Sequence, residues 1–371
     1  MASPSEPPVV RLAACDCLTP FGGVAATLAA LLRGERALQL VPVLGREGGD
    51  AVPLALLPGR ALDETDPPAW LPALCALLAP VSGPEWGTAR RPVCVTSSNF
   101  GVGSLYAFRR TGETGHSAHG TPHASVALVR RALGWGENVA IFSHACVSAH
   151  LGLVHATRLL AAGAADEALV VSYDFLSPFV AGGFHALKIL NADFPSPYQD
   201  RATGSIGLGD GAGYAVLRRD RGDFVLAEHS LHNEMYHFTA NRPDGAGFAA
   251  ALTPIVAAAA GRRLWLKGHG TGTLEAGRLE ATALARAFPG APLVGWKGSL
   301  GHTLGSCGLV ELAVAAAAIR AGRTPGTVGS ASPAFTDAVA LAPFDNSTFD
   351  GVVCASNAFG GAHAALLLSH A

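Results

Sequence analysis

The chain lacks the cysteine spacing that a metal would use. Its seven cysteines stand at 15, 17, 75, 94, 146, 307 and 354, an odd number with no CxxC pair and no Cys/His cluster at zinc spacing. Free thiols in a chain of 371 residues point to a reducing, cytoplasmic setting. No uninterrupted apolar run reaches membrane-spanning length, so no membrane span is expected. The opening MASPSEPPVVRLAA lacks the basic-then-apolar order of a secretory signal. An excess of one charge is missing too: the formal charge is −2, which leaves no basic footprint for nucleic acid. The pairs Arg90-Arg91, Arg109-Arg110 and Arg130-Arg131 read as solvated faces.

What the chain does have is apolar and turn-forming material. It is 49% hydrophobic with 45 glycines and 24 prolines. That suffices for two core-forming units or one large α/β domain. Strand-like and helix-like runs alternate: strands at 9–14, 93–96, 168–172 and 214–218, helices at 24–32, 71–78 and 124–133. Residues 47–90 read as a surface excursion, and 172–210 as irregular chain. A second set follows, with strands at 224–228, 264–267, 293–296, near 339 and at 352–355, and helices at 248–260, 280–287 and 308–320. The helix-like runs after Cys146 and after His302 are apolar on nearly every face, so both belong between layers. One such helix in each half suggests a duplicated α/β unit.

Three segments carry chemistry. Asn138-Val-Ala-Ile-Phe-Ser143 breaks through His144-Ala145 into Cys146 and a helix-like run from 147 to 162. A cysteine at a helix N-terminus is favoured as thiolate, the nucleophilic form. The competing reading is a buried small hydrophobe. Lys267-Gly-His269-Gly-Thr271-Gly-Thr273 and Lys297-Gly-Ser-Leu-Gly-His302 each set a histidine in a glycine-rich turn after a strand, where a ligand can approach closely. Ser356-Asn357-Ala-Phe359-Gly-Gly361 has a related form. The glycine run 207–213 precedes a strand rather than opening a helix, so it reads as a structural turn, not a nucleotide cradle.

In this order the motifs resemble the β-ketoacyl-acyl-carrier-protein synthases of the thiolase superfamily over nearly the whole chain. Val10-Arg-Leu-Ala…Leu18-Thr-Pro-Phe-Gly22 resembles the opening strand and turn. His144-Ala-Cys146-Val-Ser148 stands at the nucleophile segment. Pro197-Tyr-Gln-Asp-Arg201 and Gly207-Leu-Gly-Asp-Gly-Ala-Gly213 resemble two structural segments. His269-Gly-Thr-Gly-Thr273 reproduces H-G-T-G-T, and Lys297 to Glu311 reproduces K-x-x-x-G-H-x-x-G-x-x-G-x-x-E. The resemblance implies a five-layered α-β-α-β-α fold of two duplicated halves, 1–221 carrying the nucleophile and 222–371 carrying the histidines.

It also implies a decarboxylative Claisen condensation. Cys146 would accept an acyl group from carrier-protein phosphopantetheine. His269 and His302 would serve the malonyl group, or His302 chiefly the thiol proton, and the N–H groups of Cys146 and Phe359 an oxyanion. Thr271 and Thr273 would hold the pantetheine arm, with Lys297 and Glu311 in support. No metal or bound organic cofactor is implied. The implied partners are an acyl carrier protein and a second subunit, identical or sibling.

Several positions depart from the pattern. Gly277 stands where an aspartate usually follows H-G-T-G-T, although Glu280 is kept. The turn Asn357-Ala-Phe-Gly-Gly361 is two residues short, so a gate at Phe359 should be smaller. Asp210 replaces a glutamate, and His144 is unusual, read as a core or interface hydrogen bond. Two other functions compete. One is a non-catalytic chain-length-factor-like partner, disfavoured by the joint presence of Cys146, His269 and His302. The other is a non-decarboxylative thiolase or acyltransferase, which needs a second cysteine. Cys354, read as lying in the final strand, fits that poorly, and Cys307 reads as packing.

Overall fold

A computed structural model describes residues 9–43, 50–219 and 221–371. Its main sheet has ten strands. In chain order they are β1 (Val10–Leu18), β2 (Val93–Thr96), β3 (Val139–Phe142), β4 (Glu167–Asp174), β5 (Gly211–Arg219), β6 (Phe224–Asn233), β7 (Leu264–Lys267), β8 (Leu293–Val294), β9 (Gly351–Ala358) and β10 (Ala362–His370). The spatial order is β8-β7-β9-β10-β6-β1-β5-β4-β2-β3. From β1 outward the pairings run antiparallel, antiparallel, parallel, parallel. From β6 outward they run the same way. Among the described residues the two sets join through Arg11↔Val225 and Leu12↔Phe224.

Side-chain alternation builds the layers. Cys94, Val170, Ala215 and Leu217 face inward, as do Trp265, Val352, Leu366 and Leu368 from the other set. All pack on two central helices, α1 (Ser148–Ala161) and, later in the chain, Cys307–Arg320. The intervening residues face outward. Val93, Val95, Leu169 and Val171 pack under the helices Leu71–Leu78 and Pro122–Leu133. Leu264, Leu266, Val353 and Leu367 pack under Ala246–Ala258 and α2 (Leu274–Ala287). The result is five layers, α-β-α-β-α. The central helix α3 (Cys307–Arg320) has 12 of its 14 residues buried. A helix enclosed on all sides can be apolar all round, which is what its sequence shows.

The structure differs from the sequence expectations in several places. Residues 50–90 are no surface excursion: Leu74 and Leu78 are fully buried in an outer core, and Val52 and Leu54 sit in a small sheet with Leu208–Gly209. Residues 47–49 lie outside the described residues, as does the N-terminal stretch 1–8. Irregular chain at 172–210 in fact contains the helix Pro178–Ala186, opened by the Ser177 hydroxyl accepting from the Val180 N–H. The final strand is β10, so Cys354 belongs to the strand before it. The glycine run is strand rather than turn. Its close approach is real: a Cβ on Gly209 would lie 2.1 Å from the Leu300 carbonyl oxygen.

Candidate active site

Cys146 is set by a strained turn. β3 ends at Phe142, α1 begins at Ser148, and Ala145 between them adopts φ +46°, uncommon for a residue with a side chain. The Ser148 hydroxyl ties the turn: it donates to the Ala145 carbonyl (2.6 Å) and accepts the His144 N–H (2.8 Å). Cys146 thus precedes the helix by two residues rather than opening it. Its thiol does not rest as the favoured thiolate; burial pushes it far above the ordinary thiol range. Desolvation outweighs what one helix end supplies. Cys307 is more than filler, because its thiol donates to the Cys146 carbonyl at 3.4 Å.

Both glycine-rich histidine turns reach this sulfur. The Cys146 thiol and a ring nitrogen from each of His269 and His302 lie within 4.8 Å of one another, and the two rings meet edge to face with centroids 4.8 Å apart. Burial first, and then the Lys297 ammonium, hold both imidazoles neutral, well below their ordinary pKa. The Leu304 N–H donates to His302 Nδ1 at 3.2 Å, which puts the ring proton on Nε2. That Nε2 is buried without a partner. Three such residues have the make-up of a metal site, but a protonated Nε2 is a hydrogen-bond donor and not a ligand. The buried ammoniums close by also oppose a cation.

His269 is held by its backbone. Glu280, on α2, accepts the His269 N–H (2.5 Å), the Gly270 N–H (2.9 Å) and the Tyr198 hydroxyl (2.9 Å). α2 starts directly after Thr273, six residues earlier than its sequence pattern suggests, so Gly277 lies on the helix. The bonding expected of an aspartate there is carried instead by Glu280, one turn on. Thr271 and Thr273 hydroxyls lie 3.2 Å apart.

Lys297 and Glu311 form a buried ion pair at 2.6 Å. The other Glu311 oxygen contacts Lys267, also buried, a partner that its place beside the His269 turn does not reveal in sequence. Asp174 escapes sequence reasoning altogether. It accepts from Ser97 Oγ (2.7 Å), Asn99 N (3.0 Å) and Ser306 N (3.1 Å), bridging the two sets of loops. Burial raises its pKa to about 6. A lone aspartate at a strand end carries no sequence signal for this. Asp210 is structural, since its buried bidentate pair with Arg60 anchors the segment before β2.

A cavity of about 380 Å³ is lined by Cys146, His269, His302, Thr271, Thr273 and Phe359 among others. Phe359 sits in a three-residue turn closed by the Ala358↔Ala362 pair, with Gly360 and Gly361 at positive φ. Its ring stacks on Phe184 at 5.8 Å. Cys354 is not among the cavity-lining residues; it is buried in the sheet, its thiol pushed up to about 12 by burial.

The layered architecture and the convergent turns define an α/β protein of thiolase-like fold. A chain of the ketosynthase (ApeO) and chain length factor (ApeC) complex from Xenorhabdus doucetiae matches it at TM-score 0.79 and 20% identity, covering all of both chains. Residues 224–330 match the β-ketoacyl synthase C-terminal domain. The tetracenomycin polyketide synthase ketoacyl synthase alpha subunit of Streptomyces glaucescens is 30% identical over 216 residues, 53% of this chain and 51% of that protein. The 3-oxoacyl-[acyl-carrier-protein] synthase 2 of Coxiella burnetii is 27% identical over 257 residues, 63% of this chain and 62% of that one. The aligned stretches thus span about half to three-fifths of these relatives. Over these stretches the chain is similar to β-ketoacyl synthases, and residues 224–330 carry the C-terminal domain of that family. Among the described residues no helix is long and apolar enough to cross a membrane.

Proposed function

We propose that this protein is a β-ketoacyl-acyl-carrier-protein synthase acting in fatty-acid or polyketide assembly, with Cys146 as its nucleophile. The observation that carries the reading is the convergence of one thiol and two neutral imidazoles, from turns far apart in the chain, on one cavity. In this reading the Cys146 sulfur bonds to the acyl carbon as the pantetheine C–S bond breaks, and the thiol proton passes to the leaving sulfur. A malonyl thioester then loses carbon dioxide. The carbanion left behind attacks the acyl carbon, the bond from that carbon to the Cys146 sulfur breaks, and the released thiolate takes a proton from water. Negative charge develops on the malonyl thioester oxygen, which needs donors rather than acceptors. His302 Nε2–H is such a donor and His269 is its neighbour. The backbone N–H groups of Cys146 and Phe359 would serve the acyl-transfer oxyanion. Thr271 and Thr273 would meet the pantetheine arm, and Lys297 with Glu311 would support the site.

Substrates would arrive on the phosphopantetheine of an acyl carrier protein, with no bound cofactor, in a cytoplasmic dimer of identical or sibling subunits. The mirrored strand pairing supports a division into halves 1–221 and 222–371. Incubation with acyl-carrier protein is expected to add one acyl mass to the Cys146 peptide, and Cys146→Ala to abolish it. Acylation elsewhere, or none with any donor, would favour the non-catalytic chain-length-factor-like reading.

A further inference from the structure

Lysine is scarce in this chain. There are three, at 188, 267 and 297, and arginine is the ordinary cation. Two of the three are fully buried on a single carboxylate: Lys297 on Glu311 Oε1 and Lys267 on Glu311 Oε2. Composition does not produce that pairing by chance. Lys267 ends β7 two residues before His269, Lys297 opens the turn that leads to His302, and Glu311 projects from α3 between them.

We propose that Lys267 is a positioning residue for this site: its ammonium fixes Glu311 on the oxygen that Lys297 leaves free, and gives the cluster one positive charge more than its carboxylate balances. The proposal rests on the acyl-transfer reading above. A buried pair is neutral and projects little field. A buried Lys–Glu–Lys cluster carries one charge into a region of low dielectric, where it acts over several ångströms.

The groups facing Lys267 are Glu311, Lys297, Cys307 and Cys354. Those facing His269 are Lys297, His302, Lys267 and His150, while His302 faces the two lysines. Glu280 faces Lys297, but it is already occupied by two N–H groups and Tyr198. The added cation therefore acts on both rings in one direction, disfavouring imidazolium and leaving them neutral for a substrate that arrives negatively charged. The ammonium that acts on the Cys146 thiol is Lys297, opposed by Asp174, and Lys267 leaves more of that Lys297 charge unbalanced by sharing Glu311.

The test compares Lys267→Met, which removes the charge at similar volume, with Lys267→Arg, which keeps it. Decarboxylation of malonyl-carrier protein should retain its KM within about twofold in Lys267→Met. The acid limb of its kcat profile should move up by about one pH unit, as loss of a buried charge predicts. Alkylation of Cys146 by iodoacetamide at pH 7.5 should slow several-fold. Lys267→Arg should return both toward the parent. Should Lys267→Met fail to fold, Lys267→Gln carries the same comparison. A folded charge-free variant with the parent profile and alkylation rate overturns the proposal. So does an arginine variant that is folded yet as impaired as methionine. The alkylation comparison needs no substrate: a parent protein that never decarboxylates or takes an acyl group refutes the proposed function, while the alkylation rates still decide the role of Lys267.

Discussion

Glu280→Gln is the most searching test of how the site is held. The carboxylate, 2% exposed, accepts two backbone N–H groups and one hydroxyl. A glutamine has one carbonyl oxygen to offer. Its amide nitrogen, a donor, must face at least one of those three donors. One buried donor left unsatisfied costs about 1–3 kcal/mol, and the bonds that survive lose the strength that charge gave them. The sum is about 3 kcal/mol, or a fall in Tm of about 6–12 °C at roughly 2–4 °C per kcal/mol for a 150–250-residue domain, and less for a longer chain. The consequence for activity is larger. The two N–H groups that share the carboxylate aim the His269 turn, so losing either lets it shift, and a displacement of about 1 Å at a reacting group costs on the order of 100-fold in rate. The measurements are thermal denaturation and malonyl-thioester decarboxylation at pH 8, chosen high because burial raises the Glu280 pKa. A variant melting within 1 °C of the parent, or decarboxylating within twofold of it, would show that Glu280 does not hold this turn.

Asp174→Asn tests linkage. Its carboxyl is raised by burial from 3.8 to about 6 in the folded protein, so the stability it contributes is full below the unfolded value and is lost as pH rises through about 6. The variant has no such step; its stability relative to the parent should therefore improve by about 3 kcal/mol between pH 3.5 and pH 7 in denaturant titrations, and a constant difference would refute the assignment. Phe359→Ala should remove the ring stacked on Phe184 and speed alkylation of Cys146 several-fold without lowering Tm by more than a few degrees; an unchanged rate would mean the ring does not gate the cavity.

The sequence made the layers legible because the layers are made by periodicity. Short, mostly apolar runs in β2, β4 and β9, buried on both faces, and all-round apolarity in α3 are each statements about which faces are enclosed. The motif turns were legible because glycine and histidine are unusual neighbours. What escaped was of two kinds. β10 follows β9 after only three residues, so its apolar Leu366-Leu367-Leu368 run merged with the motif before it. The start of α2 was hidden because Gly277 interrupts a pattern that Thr273 and Glu275 already open. The polar hubs, Asp174 and Lys267, escaped because their partners are 132 and 44 residues away in sequence. Nothing local distinguishes a carboxylate that will bridge two loops from one that will face water.

The protonation inventory narrows what the two imidazoles can do. At rest the thiol is protonated and both rings are neutral, all through burial. No stored ion pair activates the sulfur. The residue that removes the thiol proton must therefore have a free lone pair facing it. His302 does not qualify at Nε2, since the Leu304 N–H takes the Nδ1 lone pair and leaves the proton on the other nitrogen. Within the proposed mechanism that restricts His302 to donation, suited to the charge that develops during decarboxylation. The thiol proton then has no acceptor fixed on His302, and transfer to the leaving pantetheine sulfur needs none. Replacing His302 with alanine, which cannot donate, should accordingly preserve acylation of Cys146 while lowering decarboxylation. If acylation fell in step with decarboxylation, His302 would be acting as the base, and the tautomer set by Leu304 would be the wrong one for the working enzyme.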